Sequence, residues 1–137
     1  MNSLNGLAIF RQNRFFTTLQ IRIESPTNQK IKHLVRLRKS SNYRKDTGLF
    51  LVEGKREIEA LIAAGHSLEE LYFLQNSEEE SILETQTRQQ VACFELAEEP
   101  MRKISYRGQT SKLVGVAKTW EINLKNHEIK NYDLVLI

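Results

Sequence analysis

The chain is organised around residues 48–56, which read GLFLVEGKR. The apolar block from Leu49 to Val52 is rich in β-forming residues and begins after a glycine, a pattern that predicts a buried strand. Glu53 and Gly54 then mark a sharp exit into an amphipathic run over residues 55–64. Ahead of the block, residues 30–45 carry seven Lys or Arg and no Asp or Glu. The region therefore predicts a basic helix, a basic loop, a buried strand and a second helix.

The composition is that of an ordinary globular protein. At 137 residues, with 40% hydrophobic and 27% charged residues, the chain fits one domain with some residues left over. No apolar run approaches the roughly 18 to 20 residues of a membrane span, a single cysteine excludes a disulfide framework, and a cytoplasmic location is expected. The net charge is only +3, but residues 69–99 hold nine Glu and one basic residue. This separation predicts a basic face for a polyanion and an acidic face elsewhere.

Helical and extended segments alternate along the chain. Ser25 and Pro26 predict the start of the basic helix, in which Ile31, Leu34 and Val35 would face the core. Its end is expected at residues 40–42, followed by a loop at 43–48. A second helix is predicted from residue 55 to a stop at Gly65, a third from a cap at Ser77 with glutamates in its first turn, and a fourth at 100–104. Strands are predicted at 71–74, 91–96 and 113–117. Such alternation predicts an α/β protein, built as a three-layer α/β/α sandwich around a small mixed sheet.

The polar segments suggest how the chain is divided. Residues 1–23 hold three Arg and no acid, and we expect a disordered N-terminal extension. A domain is predicted over residues 24–120, and a polar linker over 121–133. The last four residues, 134–137, read as the first strand of a further domain, which predicts that the chain is a fragment of a longer protein.

Candidate catalytic and metal-binding patterns are missing from the sequence. His33, His66 and His127 lie on the basic helix, after a helix stop and in the linker, so no catalytic triad or metal-ligand spacing is indicated. The glycines do not form a phosphate-binding loop. We therefore predict a binding chain without catalytic residues, metal or cofactor of its own.

The basic stretch is the main functional signal. Lys and Arg on a helix and the following loop would neutralise phosphates and give a salt-dependent affinity for nucleic acid, although charge alone is equally consistent with a solvated surface. Tyr43 beside Arg44, and Tyr106 beside Arg107, favour RNA, whose unpaired bases stack on aromatic and guanidinium planes. Glu53 would accept hydrogen bonds from a base, pair with Arg44, or contact a helix N-terminus.

Several motifs resemble a known family. Residues 25–37 follow the order Ser-Pro-x-Asn-x-x-Ile-Lys-x-Leu-x-x-Leu, and Tyr43-Arg44 comes before Phe-Leu-Val-Glu-Gly-x-Arg at residues 50–56, then Glu-Ala-Leu at 59–61. In this order they resemble the N-terminal substrate-binding domain of the SpoU/TrmH family of RNA ribose 2′-O-methyltransferases. The resemblance implies a fold akin to the ribosomal-protein fold that binds kinked RNA, followed through a linker by a knotted, dimeric catalytic domain that binds S-adenosylmethionine.

The leading hypothesis is an RNA-recognition domain of such an enzyme, which would methylate a ribose 2′-hydroxyl of rRNA or tRNA through a catalytic domain beyond residue 137. It predicts that changing Arg44 and Lys45 to alanine weakens RNA binding and leaves the fold intact. The alternatives are a stand-alone ribosomal-type protein that binds kinked RNA, and a protein-interaction module that uses the acidic side at residues 69–99. The predicted RNA-binding residues are Lys32, Arg36, Lys39, Arg44, Lys45, Glu53, Gly54, Lys55 and Arg56.

Overall fold

The computed structural model describes residues 8–10, 19–106 and 111–120. Within these residues the chain forms strands and helices in the order β1 (Ala8–Phe10), β2 (Leu19–Ile23), α1 (Gln29–Lys39), α2 (Ser41–Thr47), β3 (Leu49–Glu53), α3 (Lys55–Ala63), β4 (Leu68–Leu74), α4 (Glu80–Arg88), β5 (Ala92–Leu96), α5 (Glu98–Ile104) and β6 (Leu113–Lys118). None of the described helices is both long and apolar enough to cross a membrane.

The strands form one mixed sheet in the order β1-β2-β5-β4-β6-β3. β2, β5 and β4 run parallel to one another, whereas β6 is antiparallel to both β4 and β3, and β1 is antiparallel to β2. β3 therefore lies at the edge of the described sheet, with β6 as its strand neighbour. This position brings the end of β3 next to the start of β6, where the Gly54 amide donates to Leu113 O at 2.9 Å.

Helices cover both faces of the sheet, so the predicted three-layer sandwich is confirmed. Side chains of successive strand residues point to opposite faces, and Leu71 and Phe73 therefore pack under α3 and α4, while Tyr72 packs under α1 and α5. The first layer is anchored by Ile58, Leu61, Ile82 and Leu83 of α3 and α4. The second is anchored by Ile31, Leu34, Leu37, Met101 and Ile104 of α1 and α5.

The predicted start or end of three helices can be compared with the residues that cap them in the structure. α3 ends as predicted at Gly65, whose φ of 92° suits a glycine, and the amides of Gly65 and His66 donate to the carbonyls of Ile62 and Leu61, which is the Schellman arrangement. α1 starts later than predicted, because the Asn28 side chain accepts from the Lys30 amide at 2.9 Å and replaces Ser25 as the N-cap. α4 likewise starts at Glu80, beyond the predicted cap at Ser77.

Three predictions for the first half of the chain are wrong in part. Ala8–Phe10 and Leu19–Ile23 are strands that pair with β2 and β5 respectively, so neither belongs to the disordered extension predicted for residues 1–23. Residues 41–47 form a helix where a loop was expected, since Ser40 caps a short turn that Gly48 ends with a φ of 68°. β3 is an edge strand in which only Val52 is buried, because no strand covers its outer side in the described sheet. The predicted linker and final strand, at residues 121–137, lie outside the described residues.

Candidate nucleic-acid interface

α1 and α2 meet at a corner that is held by side chains of the basic stretch. The guanidinium of Arg36 lies 3.8 Å from the centre of the Tyr43 ring, a distance at which a cation is attracted to the aromatic face. The Tyr43 hydroxyl is 2.6 Å from Nδ1 of His33, and the Tyr43 amide donates to Ser40 Oγ at 3.1 Å. Tyr43 therefore fixes the angle between the two helices.

Arg44 closes the C-terminal end of α1. Its Nη1 donates to the carbonyl oxygens of Leu37 at 2.7 Å and Arg38 at 3.1 Å. The last carbonyls of a helix have no hydrogen-bond partner within the helix and carry partial negative charge. A guanidinium at this end donates the missing hydrogen bonds and places a positive charge beside the partial negative charge. The residue predicted as an RNA contact thus also has a structural role.

A cleft of about 370 Å³ opens beside this corner, between α1, α2, β3 and the end of α5. Apolar side chains of the second layer form much of its lining, while two guanidinium groups, a carboxylate and a phenol supply its polar groups. The lining residues are Leu37, Arg38, Arg44, Phe50, Leu51, Glu53, Ile104, Tyr106 and Val114.

Glu53 holds the end of α5 at the cleft. Its two carboxylate oxygens accept from the Tyr106 amide, at 2.6 and 3.1 Å. The contact joins the end of β3 to the residue that follows the last turn of α5. In the described structure no ion pair joins Glu53 to Arg44, so that alternative is not the one observed. Of the predicted roles, a hydrogen bond to a base now competes with this backbone contact.

The structure divides the predicted RNA-binding residues between the two sides of the sheet. The exposed side chains of Lys32, Arg36, Lys39 and Lys45 lie on α1 and α2, the helix pair that carries Arg44. The others follow β3: Gly54, with a φ of 102°, precedes α3, and Lys55 and Arg56 begin it. The Lys55 ammonium is 3.7 Å from the Glu79 carboxylate, beside α4, which places it with the opposite helical layer.

Two of the four polar residues that line the cleft, Arg38 and Tyr106, were absent from the predicted RNA-binding set. Arg38 lies seven residues after Ile31 and four after Leu34, so the helical period that predicted the core face could have placed it at the border of that face. Tyr106 is 60% exposed and lies 53 residues from its partner Glu53, a proximity that no local pattern reveals.

Other reactive side chains are engaged in structural contacts. His66 stacks on Trp120 with ring centroids 3.8 Å apart, and His33 bonds Tyr43. Burial raises the pKa of the Cys93 thiol, which disfavours the nucleophilic thiolate. Among the residues that the structure describes, no group of three His, Cys, Asp or Glu could hold a metal ion.

The layered sheet and the helix corner beside a cleft define an α/β/α domain with exposed cations on α1 and α2. The sequence model of the MRM3-like substrate binding domain matches residues 28–115, more than half of the chain. The chain belongs to this family of substrate-binding domains, and the resemblance to the substrate-binding domain of SpoU/TrmH-type methyltransferases is confirmed. No curated protein matches the chain.

Solved structures of methyltransferases share the fold. An RNA 2′-O ribose methyltransferase is 30% identical, with a TM-score of 0.66 over 79% of this chain and 41% of that one. An AdoMet-bound rRNA methyltransferase from Sinorhizobium meliloti is 19% identical, with a TM-score of 0.66 over 77% and 39%. The SpoU methyltransferase AviRb from Streptomyces viridochromogenes, in complex with AdoMet, is 20% identical, with a TM-score of 0.58 over 72% and 36%. The last two show likeness of fold alone, and the chain spans about two fifths of the length of these proteins.

Proposed function

We propose that this chain binds RNA, from rRNA or tRNA, through the α1–α2 surface and presents it to the catalytic domain of a SpoU-type 2′-O-ribose methyltransferase. The observation that carries the proposal is the set of exposed cations on α1 and α2. None of Lys32, Arg36, Lys39 and Lys45 forms an ion pair with a described carboxylate. Unpaired cations on one surface retain their full charge for phosphate groups.

The whole protein would use S-adenosylmethionine, as the AdoMet-bound structures of similar fold suggest. This chain would supply substrate recognition, and the catalytic and cofactor-binding residues would lie in the part of such an enzyme that this chain does not cover. When bound there, S-adenosylmethionine would supply a methyl group from its sulfonium to a ribose 2′-oxygen and leave as S-adenosylhomocysteine, and the hydroxyl proton would pass to water.

A pair of matched double variants tests the RNA surface. Lys39→Gln with Lys45→Gln removes two cations from the α1–α2 surface, and Arg88→Gln with Lys118→Gln removes two cations that are paired with Glu84 and Glu69. Both variants lower the net charge by two. Binding to single-stranded RNA would be measured by fluorescence anisotropy across a salt series.

The plot of log K against log salt has a negative slope, and the first variant should reduce the magnitude of that slope by about 1.4, since each phosphate contact on a single strand contributes roughly 0.7. The control should keep the wild-type slope. Equal slopes for both variants, whether reduced or unchanged, would mean that this surface does not determine binding and would refute the proposal.

A further inference from the structure

The cleft beside the α1–α2 corner has features that phosphate binding alone does not explain. Leu51, Ile104 and Val114 give it an apolar lining, whereas a backbone-tracking surface needs only cations. Its volume of about 370 Å³ falls in the range of roughly 300 to 1,000 Å³ that is usual for small-ligand clefts. The cleft therefore suits a flat, largely apolar group attached to an anion.

The edge of β3 supplies main-chain hydrogen-bonding groups along this cleft. The Gly54 amide donates to Leu113 O at 2.9 Å, and the Thr119 amide donates to Gly48 O at 2.8 Å, so the even-numbered residues of β3 bond to β6. Because bonding direction alternates along an antiparallel strand, the N–H and C=O of Leu51 point to the open edge. No described residue provides them with a partner.

The two arginines at the cleft also have N–H groups without a hydrogen-bond partner among the described residues. Arg38 Nε is buried without a hydrogen-bond partner among the described residues, and Arg38 Nη2 makes only a long contact of 3.4 Å with Lys103 O. Arg44 uses Nη1 for the α1 carbonyls, and neither arginine is paired with a described carboxylate. A phosphate at the cleft would therefore meet two guanidinium groups, neither of which forms an ion pair with a described carboxylate.

We propose that this cleft seats one unpaired nucleotide of the RNA, with its base against Leu51, Ile104 and Val114 and its phosphate at Arg38 and Arg44. The Watson–Crick edge of every RNA base carries a donor next to an acceptor, which complements the N–H and C=O of Leu51. The main chain would therefore bind an unpaired base without selecting its identity. The Tyr106 ring at the cleft stacks on the base. The inference rests on the proposed RNA binding and adds that the domain distinguishes unpaired from paired nucleotides.

The test compares two RNA strands of about 12 nucleotides, one with all bases and one fully abasic, which keeps every phosphate. Wild-type chain should bind the strand with bases about tenfold more tightly. Tyr106→Ala should remove most of this preference without changing binding to the abasic strand, and Tyr106→Phe should retain it. The exposed ring can be removed while its amide still bonds Glu53, so circular dichroism should show an unchanged fold.

A second measurement does not depend on any variant. In methyl NMR spectra, adenosine 5′-monophosphate should shift the signals of Leu51, Ile104 and Val114 clearly more than ribose 5-phosphate, which has the phosphate but lacks the base. If both strands bind equally and in a salt-dependent manner, the nucleotide site is refuted and the proposed function stands. If neither strand binds, the proposed function fails together with the site.

Discussion

Replacing Arg44 with alanine should destabilise the fold and not only weaken RNA binding. The Arg44 side chain donates from one nitrogen to the carbonyls of Leu37 and Arg38. A hydrogen bond from a charged group contributes about 1.5 to 3 kcal/mol, and a cation at a helix C-terminus adds about 0.3 to 1 kcal/mol. Because both bonds share one nitrogen of a partly exposed side chain, we expect a total loss of about 2 kcal/mol.

Urea unfolding followed by far-UV circular dichroism measures this loss. With a slope of about 2 kcal/mol per molar urea, the midpoint of Arg44→Ala should fall by about 1 M. Arg44→Lys keeps the charge but lacks the planar guanidinium, so an intermediate loss is expected. Lys45→Ala is the control, since its exposed side chain should change stability by no more than about 0.5 kcal/mol.

A wild-type midpoint for Arg44→Ala would refute the helix-closing role. The expected result would also change how the double variant of Arg44 and Lys45 is interpreted. The sequence predicts that this variant weakens RNA binding with the fold intact, whereas the structure predicts that part of any loss comes from destabilisation. Lys45→Ala is therefore the better single probe of RNA binding.

Three further changes test the packing and the backbone. Burial and the neighbouring Glu70 carboxylate raise the pKa of Tyr72 far above its usual value. The contribution of this proton to the free energy of unfolding should therefore be fully present below about pH 10, where the unfolded chain begins to lose the proton. Above that pH the free energy of unfolding should fall by about 1.4 kcal/mol per pH unit. Tyr72→Phe should remove that part of the slope in urea unfolding at alkaline pH, and parallel wild-type and variant profiles would contradict it. Gly54→Ala, at φ 102° and ψ 152°, should cost about 1 to 3 kcal/mol in urea unfolding; an unchanged midpoint would show that the backbone is not strained. Leu34→Ala should cost about 3 kcal/mol by thermal unfolding and half-buried Val35→Ala clearly less; equal losses would contradict the observed packing.

The sequence by itself determined the layers of the fold and the sign of its charge. The alternation of helical and extended segments predicted an α/β/α sandwich, because each period buries one apolar face. Gly65 predicted the end of α3, since few other residues adopt a positive φ without strain. The concentration of Lys and Arg before β3 predicted a basic surface, because the charge of a segment follows directly from the residues that it contains.

Only the tertiary structure determined where these residues lie in the fold and which side chains they contact. The apolar run at Leu49–Val52 gives no information about its place in the sheet, and strand order places it at an edge. Arg44 reads as an exposed cation until α2 turns it back onto the end of α1. Glu53 meets Tyr106 from 53 residues away, and Arg38 becomes part of a cleft only when α1 packs beside α5. These contacts join residues distant in sequence, so they follow from packing and not from local pattern.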